Sequence, residues 1–224
     1  MNISIFDIMG PVMIGPSSSH TAGAARLAKI AKIIYGLPFS KVRFSLYGSF
    51  LKTYAGHGTD KALIAGILGI NPDDETIKNS KQIALDKNIE IIFDEYKSDN
   101  SHENTAKITF YGDGGEFYVV GSSVGGGAIK ITEVNGFPVE FDATRETILI
   151  NQHDKKGVIS NISKILAENG INIAIMKVGR EKKGDIAFCV IETDDQLESH
   201  IGDKLSEIDN VINVRIVSQF MRKD

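Results

Sequence analysis

Gly10-Pro-Val-Met-Ile-Gly-Pro-Ser-Ser-Ser-His-Thr-Ala-Gly23 is the stretch around which the chain is organised. Its second half, from Gly15, sets rigid and permissive residues around a run of hydroxyls and one imidazole. Gly15-Pro16 is a turn signal, because glycine tolerates unusual φ and proline fixes it. Ser17, Ser18 and Ser19 are good helix N-caps. Ala22, Ala24, Ala25, Leu27, Ala28, Ile30, Ala31, Ile33 and Ile34 then predict a helix with almost no polar face. The first-turn N–H groups of that helix, the hydroxyls of Ser17, Ser18, Ser19 and Thr21, and His20 converge on one point. Such a point attracts an anion, most simply a carboxylate or a phosphate. The plainer reading is that three serines cap a helix and His20 is a polar surface residue. The contiguity of glycine, proline, hydroxyls and imidazole ahead of a buried helix favours a binding site.

Outward from that stretch, 224 residues fit one large domain or two ordinary ones. With 42% hydrophobic and 24% charged residues, a proper core can form. A net charge of −4 with no Lys/Arg block and no aromatic-basic interleaving excludes a nucleic-acid binder. No apolar run is long enough to span a bilayer, and the N-terminus does not read as a secretory signal. The expected location is cytoplasmic, without membrane attachment. Cys189 is the one cysteine, so this chain forms no intrachain disulfide and completes no cysteine-based metal centre, and no metal ligands are assigned. It sits in the apolar run Ile186-Ala-Phe-Cys-Val-Ile191, where a buried strand position is expected.

Along the chain, Val42, Phe44 and Leu46 alternate, predicting a strand over 41–50. A second glycine loop, Tyr54-Ala-Gly-His-Gly-Thr-Asp60, opens another small-residue helix over 61–68, closed by Gly69, with Thr59 or Asp60 as its N-cap. The pattern of glycine loop, imidazole, hydroxyl and buried helix therefore occurs twice, with His20 and His57 in similar places. A polar surface helix is expected over 71–86 and strands over 89–96, 106–111 and 116–122. His102 falls on a polar loop. Gly112-Asp-Gly-Gly115 is a hairpin turn. Gly125-Gly-Gly127 is either a bulged turn or a place of close ligand approach. Strands and turns continue to Phe141. This part reads as an N-terminal mixed α/β-hairpin domain, over 1–142, and not as a doubly wound sheet.

Asp142-Ala-Thr-Arg-Glu-Thr147 breaks the pattern as a linker. Beyond it, Ile148-Leu-Ile150 is a strand. Val158, Ile162, Ile165 and Leu166 recur at helical spacing until Gly170. Ile171, Ile173 and Ile175 alternate, and a strand returns over 186–192. Leu197, Ile201, Leu205 and Ile208 form a second amphipathic helix, followed by a last strand over 211–217. The order β-α-β-β-α-β over 147–224 is the ferredoxin-like unit, so the chain as a whole is α+β.

Two resemblances add to this reading. The loop Asn151-Gln-His-Asp-Lys-Lys-Gly-Val158, with Ile165-Leu-Ala-Glu-Asn-Gly-Ile-Asn-Ile173, resembles an ACT domain, a module that binds amino acids at an interface between two copies. The resemblance implies ligand contacts at Asp154, Gly157, Val158 and Ile173. Gln152 stands where serine-binding relatives carry histidine, with His153 one step displaced. Many such domains serve only self-association, and both roles stay open.

The first motif, extended back to Ile5, resembles the β subunit of bacterial iron–sulfur-dependent L-serine dehydratase. Tyr47-Gly-Ser49, Gly56-His-Gly-Thr-Asp60, Asn104-Thr-Ala106 and Gly125-Gly-Gly127 share in the resemblance. It implies conversion of L-serine to pyruvate and ammonia with a [4Fe–4S] cluster whose cysteine ligands lie on a separate α subunit. It also implies that this chain supplies substrate geometry. His20 and His57 would hydrogen-bond the substrate carboxylate or relay a proton. Ser17, Ser18, Ser19 and Thr21 would hold the carboxylate, with Thr59, Asp60 and Lys61 as neighbours. Asp60 either caps the helix or orients His57. Domains of this kind also resemble allosteric modules of some phosphoglycerate dehydrogenases. On that alternative the chain is a stand-alone regulatory amino-acid- or anion-binding protein. A plain interaction module joined through ACT edges is a third reading.

Overall fold

The computed structural model describes residues 13–15, 17–180 and 182–218. The part of the first motif before Met13, and Pro16, lie outside the described residues. Ser18–Gly23 forms one turn of π-helix, which runs directly into α1 (Ala24–Tyr35). Its N-cap is Ser17, whose side chain accepts from the amide of His20, as the serine run predicts. Gly36, in the left-handed conformation, ends α1.

β1 (Lys41–Leu46) is shorter than the predicted strand. The chain breaks at Gly48 and forms a short helix, α2 (Gly48–Thr53), which periodicity did not reveal. The reason is a contact distant in sequence. Gly48 has φ +58, and a side chain there would stand 2.6 Å from the Glu103 carbonyl and carboxylate oxygens. The second glycine loop leads into α3 (Thr59–Leu68), as expected, but its N-cap is the left-handed Gly58. Thr59 and Asp60 lie inside the first turn, so neither caps the helix. The stretch read as one polar helix is a 3₁₀ turn, Glu75–Asn79, followed by α4 (Ser80–Asp86). Asp74 caps the 3₁₀ turn by accepting from Thr76 N at 2.8 Å.

The strands that follow are β2 (Glu90–Glu95), β3 (Thr105–Gly112), β4 (Gly115–Gly125), β5 (Ala128–Val134) and β6 (Phe137–Phe141). With β1 they form one sheet in the order β2-β1-β3-β4-β5-β6. β1 pairs with β2 in parallel and with β3 antiparallel. The β3–β6 part is a meander, consistent with a mixed α+β class. Gly125, Gly126 and Gly127 all have positive φ, and the β4–β5 register shifts between Ser123 and Gly125. The triple glycine is therefore a bulged hairpin turn. α1 and α3 lie against each other with their backbones close, and the buried faces of α1, β1, β3 and β4 form the core.

By compactness the chain divides into residues 1–135 with 140–142, and 136–139 with 143–224. The second unit contains β7 (Glu146–His153), α5 (Val158–Glu168), β8 (Ile173–Arg180), β9 (Ile186–Thr193), α6 (Ser199–Ser206) and β10 (Val211–Val217). Its sheet runs β10-β7-β9-β8, the βαββαβ order read from periodicity. Ile148, Ile150, Val158, Ile162, Leu166, Cys189, Ile191, Ile201 and Leu205 make its core. Leu197 and Ile208 flank α6 rather than lying in it.

Candidate active site

His20 is positioned by the π-turn. Its Nδ1 lies 3.3 Å from Ser17 Oγ, and its Nε2 lies 3.2 Å from Ser49 Oγ. Ser49 comes from the first turn of α2, where the Gly48 turn places it. Phe50, wholly buried, meets the imidazole edge to face at a centroid distance of 5.3 Å. The His57 ring meets it edge to face at 5.4 Å. The two imidazoles that the sequence pattern paired are thus adjacent. Burial first, and His57 second, hold the His20 imidazole below its ordinary value near 6.5. Both causes favour the neutral imidazole, with one nitrogen a donor and the other an acceptor.

A cleft of about 370 Å³ opens beside this pair. It is lined by Ile14, Gly15 and Thr21 on one side, and by Gly56, His57, Gly58 and Lys61 on another. Ile77 and Lys78, from the 3₁₀ turn, complete it. Lys61 lends the lining a cation, and Lys78 reaches it while paired with Glu75. Gly15 lies against Thr21, since a Cβ on it would stand 2.1 Å from Thr21 Oγ1. The wall bearing Lys78 is pinned to its neighbours. Ile14 N donates to Pro72 O at 2.8 Å, and Ser80 Oγ donates to Lys61 O at 2.8 Å.

Among the sequence-derived candidates, Ser17, His20, His57 and Thr21 come together, with Lys61 on the cleft wall. Ser18 and Ser19 lie in the half-buried π-turn. Thr59 is fully buried and does not line the cleft, and its Oγ1 has no hydrogen-bond partner among the described residues. Asp60 accepts from Lys61 N at 2.8 Å and forms an ion pair with Lys81, so its carboxylate is engaged away from His57. His102 is exposed.

Sequence reasoning missed Ser49, Lys78, Asn104 and Ser123. Ser49 and Asn104 fall within motifs noted for their resemblance, but nothing local gave them a role. Ser123 N donates to Asn104 O at 3.0 Å. Ser123 Oγ and Asn104 Oδ1 are buried without partners among the described residues. Gly23 lies directly on Ser123, because a Cβ on it would stand 2.0 Å from Ser123 Oγ.

In the second unit, Asp154 accepts from Gly184 N at 2.9 Å and pairs with Arg180. These bonds hold its carboxyl below the usual range, the Gly184 amide first and Arg180 second. Gly157, with φ +92, opens α5. Val158 is a core residue and Ile173 packs against that core. Gln152 is buried and its Oε1 is unpartnered among the described residues.

The residues present do not fit an iron–sulfur cluster. The single thiol, Cys189, is fully buried in β9, and burial pushes it up to about 12. No group of three or more His, Cys, Asp or Glu could hold a metal ion among the described residues.

Comparison with known proteins shows which families the chain resembles. The family described as serine dehydratase beta chain matches residues 4–81, and the ACT domain family matches 147–210. The chain is 46% identical to the probable L-serine dehydratase, beta chain, of Bacillus subtilis (strain 168), over 94% of this chain and 96% of the relative. It is 41% identical to the L-serine dehydratase, beta chain, of Peptoniphilus asaccharolyticus, over 96% of this chain and 97% of that one. It is also 29% identical to the D-3-phosphoglycerate dehydrogenase of Bacillus subtilis (strain 168), over 80% of this chain and 34% of that relative.

Proposed function

The chain belongs to the serine dehydratase beta-chain family, and from that premise we propose that it is the substrate-positioning subunit of an L-serine ammonia-lyase. The reaction is L-serine to pyruvate and ammonia. The single observation that carries this reading is the junction of His20 with Ser17, Ser49 and His57 at the edge of the cleft that Lys61 lines. The substrate carboxylate sits against Lys61 and Thr21, close to the start of the π-turn, whose first amides have no intrahelical acceptor. The neutral His20 handles a proton. His57, on the cleft wall and edge-on to His20, fixes the ring and bonds the substrate.

A cluster, where the resemblance implies one, belongs on a separate alpha subunit, because this chain offers no thiolate set for it. The beta-chain name of the relatives supports such a partner. No helix among the described residues is long and apolar enough to cross a membrane. The likeness to phosphoglycerate dehydrogenase favours a second reading, a regulatory anion-binding module without chemistry of its own.

The separating experiment is a serine-to-pyruvate assay of this chain with its cysteine-bearing partner. His20→Ala should lower kcat/KM by roughly ten- to a hundredfold, the worth of one hydrogen bond involving a charged group. His102→Ala should be neutral. Serine binding without turnover would select the regulatory reading, and equal kinetics for wild type and His20→Ala would remove His20 from the chemistry.

A further inference from the structure

We propose that Ser49 is a catalytic residue, the hydroxyl that carries the substrate proton to and from His20. The inference rests on the lyase reading above. Both imidazole nitrogens of His20 are already occupied by hydroxyls, Ser17 at Nδ1 and Ser49 at Nε2. Phe50 and His57 meet the ring edge to face. No nitrogen is left to meet a substrate directly, so any proton that His20 takes or gives crosses one of two hydroxyls.

Both serines are half-buried, and Ser17 is the more committed of the two. It is the N-cap of the π-turn, and its Oγ already accepts from the His20 amide at 3.3 Å. That commitment ties it to the helix start. Ser49 differs. Among the described residues its hydroxyl bonds only to His20. It stands on α2, immediately after the left-handed Gly48. It is therefore the end of the Ser17–His20–Ser49 chain left free to bond a substrate.

The step balances as follows. Ser49 Oγ takes the proton from the substrate Cα while its own proton passes to the Nε2 lone pair of His20. The Cα–H electron pair becomes the Cα=Cβ bond, and the Cβ–O pair leaves with hydroxide. The proton held on His20 returns through Ser49 and neutralises that hydroxide to water. The product is 2-aminoacrylate, which tautomerises to the imine and hydrolyses to pyruvate and ammonia. His20 can accept at Nε2 because it is neutral, with Nδ1–H donating to Ser17. The titratable groups near the chain are His57, against the ring, and Glu103, whose carboxylate lies beside Gly48.

The test uses Ser49→Ala and Ser49→Thr in the assembled enzyme. Ser49→Ala should lower kcat by about a hundredfold or more, the usual worth of a positioned proton-transfer group, with little change in KM. It should also raise the primary isotope effect with serine deuterated at Cα, because proton abstraction then limits turnover. Ser49→Thr keeps a hydroxyl and should recover most of the rate. A Ser49→Ala enzyme with wild-type kcat and isotope effect would overturn the proposal. A second readout needs no turnover. In this chain alone, the ¹⁵N resonances of His20 should move in Ser49→Ala and return towards wild type in Ser49→Thr, and unchanged resonances would also overturn it. If the wild-type assembly converts no serine at all, the lyase reading fails, and the resonances still decide whether Ser49 governs His20.

Discussion

His20 spans the range from fully charged to fully neutral within the pH region where an enzyme works, so its surroundings decide its role. Enclosure between Phe50 and the serines, with a second imidazole alongside, disfavours the cation. The sign of the consequence can be worked out. The folded state holds His20 below 6.5, so below that pH the unfolded chain binds a proton that the folded chain resists. The His20 contribution to stability is fully present above 6.5 and is lost as pH falls through that value to the lowered one. Activity should follow the same direction. The kcat/KM profile should be flat at neutrality and fall only on an acid limb lying below 6.5. Titration of the His20 resonance gives the limb independently. A limb at or above 6.5, coinciding with that resonance, would mean that the enclosure does not tune His20. Replacing His57 with glutamine should move the limb upward, since it removes the second cause of the depression.

At the scale of elements, α1 and α3 carry the two imidazole loops, and their packing sets the distance between them. The contact is made at Gly66. A Cβ there would stand 2.2 Å from Ala25 O and 2.7 Å from Ala28 Cβ. Gly66→Ala should therefore cost about 1–3 kcal/mol, as overpacked sites do. It should also lower activity more than an equally destabilising change remote from the site, because the loops must separate. Chemical denaturation paired with the serine assay measures both, and a stable, fully active Gly66→Ala would refute the account. The two helices and their loops were legible because small apolar residues run together after a glycine turn. α2 was not. Its sequence, Gly-Ser-Phe-Leu-Lys-Thr, continues the alternation of β1, and only the distant Glu103 backbone forces the left-handed Gly48. Ser49 shared that fate, since its partner His20 is 29 residues away. The polar stretch 71–86 read as a surface helix, and the cleft-lining Lys78 within it was invisible because a charged face on solvent and one on a cleft have the same pattern. The Gly58 cap escaped for another reason. Thr59 and Asp60 are better caps by type, but Asp60 is drawn to Lys81 and the left-handed turn falls one residue earlier.

At the scale of the whole molecule, the second unit has a complete core of its own and two open sheet edges, β8 and β10. This part of the fold was the most legible, because each of its elements keeps one clean period. Open edges invite pairing with an identical strand about a two-fold axis. Each edge strand carries one register shift, β10 at Val211 to Asn213 and β8 at Ile173 to Ile175, but β8 keeps the longer regular run, Ile175 to Arg180 against Asn213 to Val217. Val178 on β8 is 49% exposed. The full chain should therefore sediment as a dimer joined through β8. Val178→Lys adds a charge beside Lys177 and Arg180 on that edge and should shift the chain towards monomer. Its folding midpoint in the monomer should stay unchanged, because the side chain is not part of the core. Ile212→Lys, on β10, is the control and should leave the dimer intact. Pairing would bring two copies of the loop from Asp154 to Val158 close to one interface. If an amino acid binds there, it should strengthen the dimer, because a ligand favours whichever state it binds better. Sedimentation with and without L-serine separates the outcomes. A monomeric wild-type chain at high concentration rejects the pairing, a dimer broken by Ile212→Lys moves it to the other edge, and a dimer indifferent to serine assigns the second unit to assembly alone.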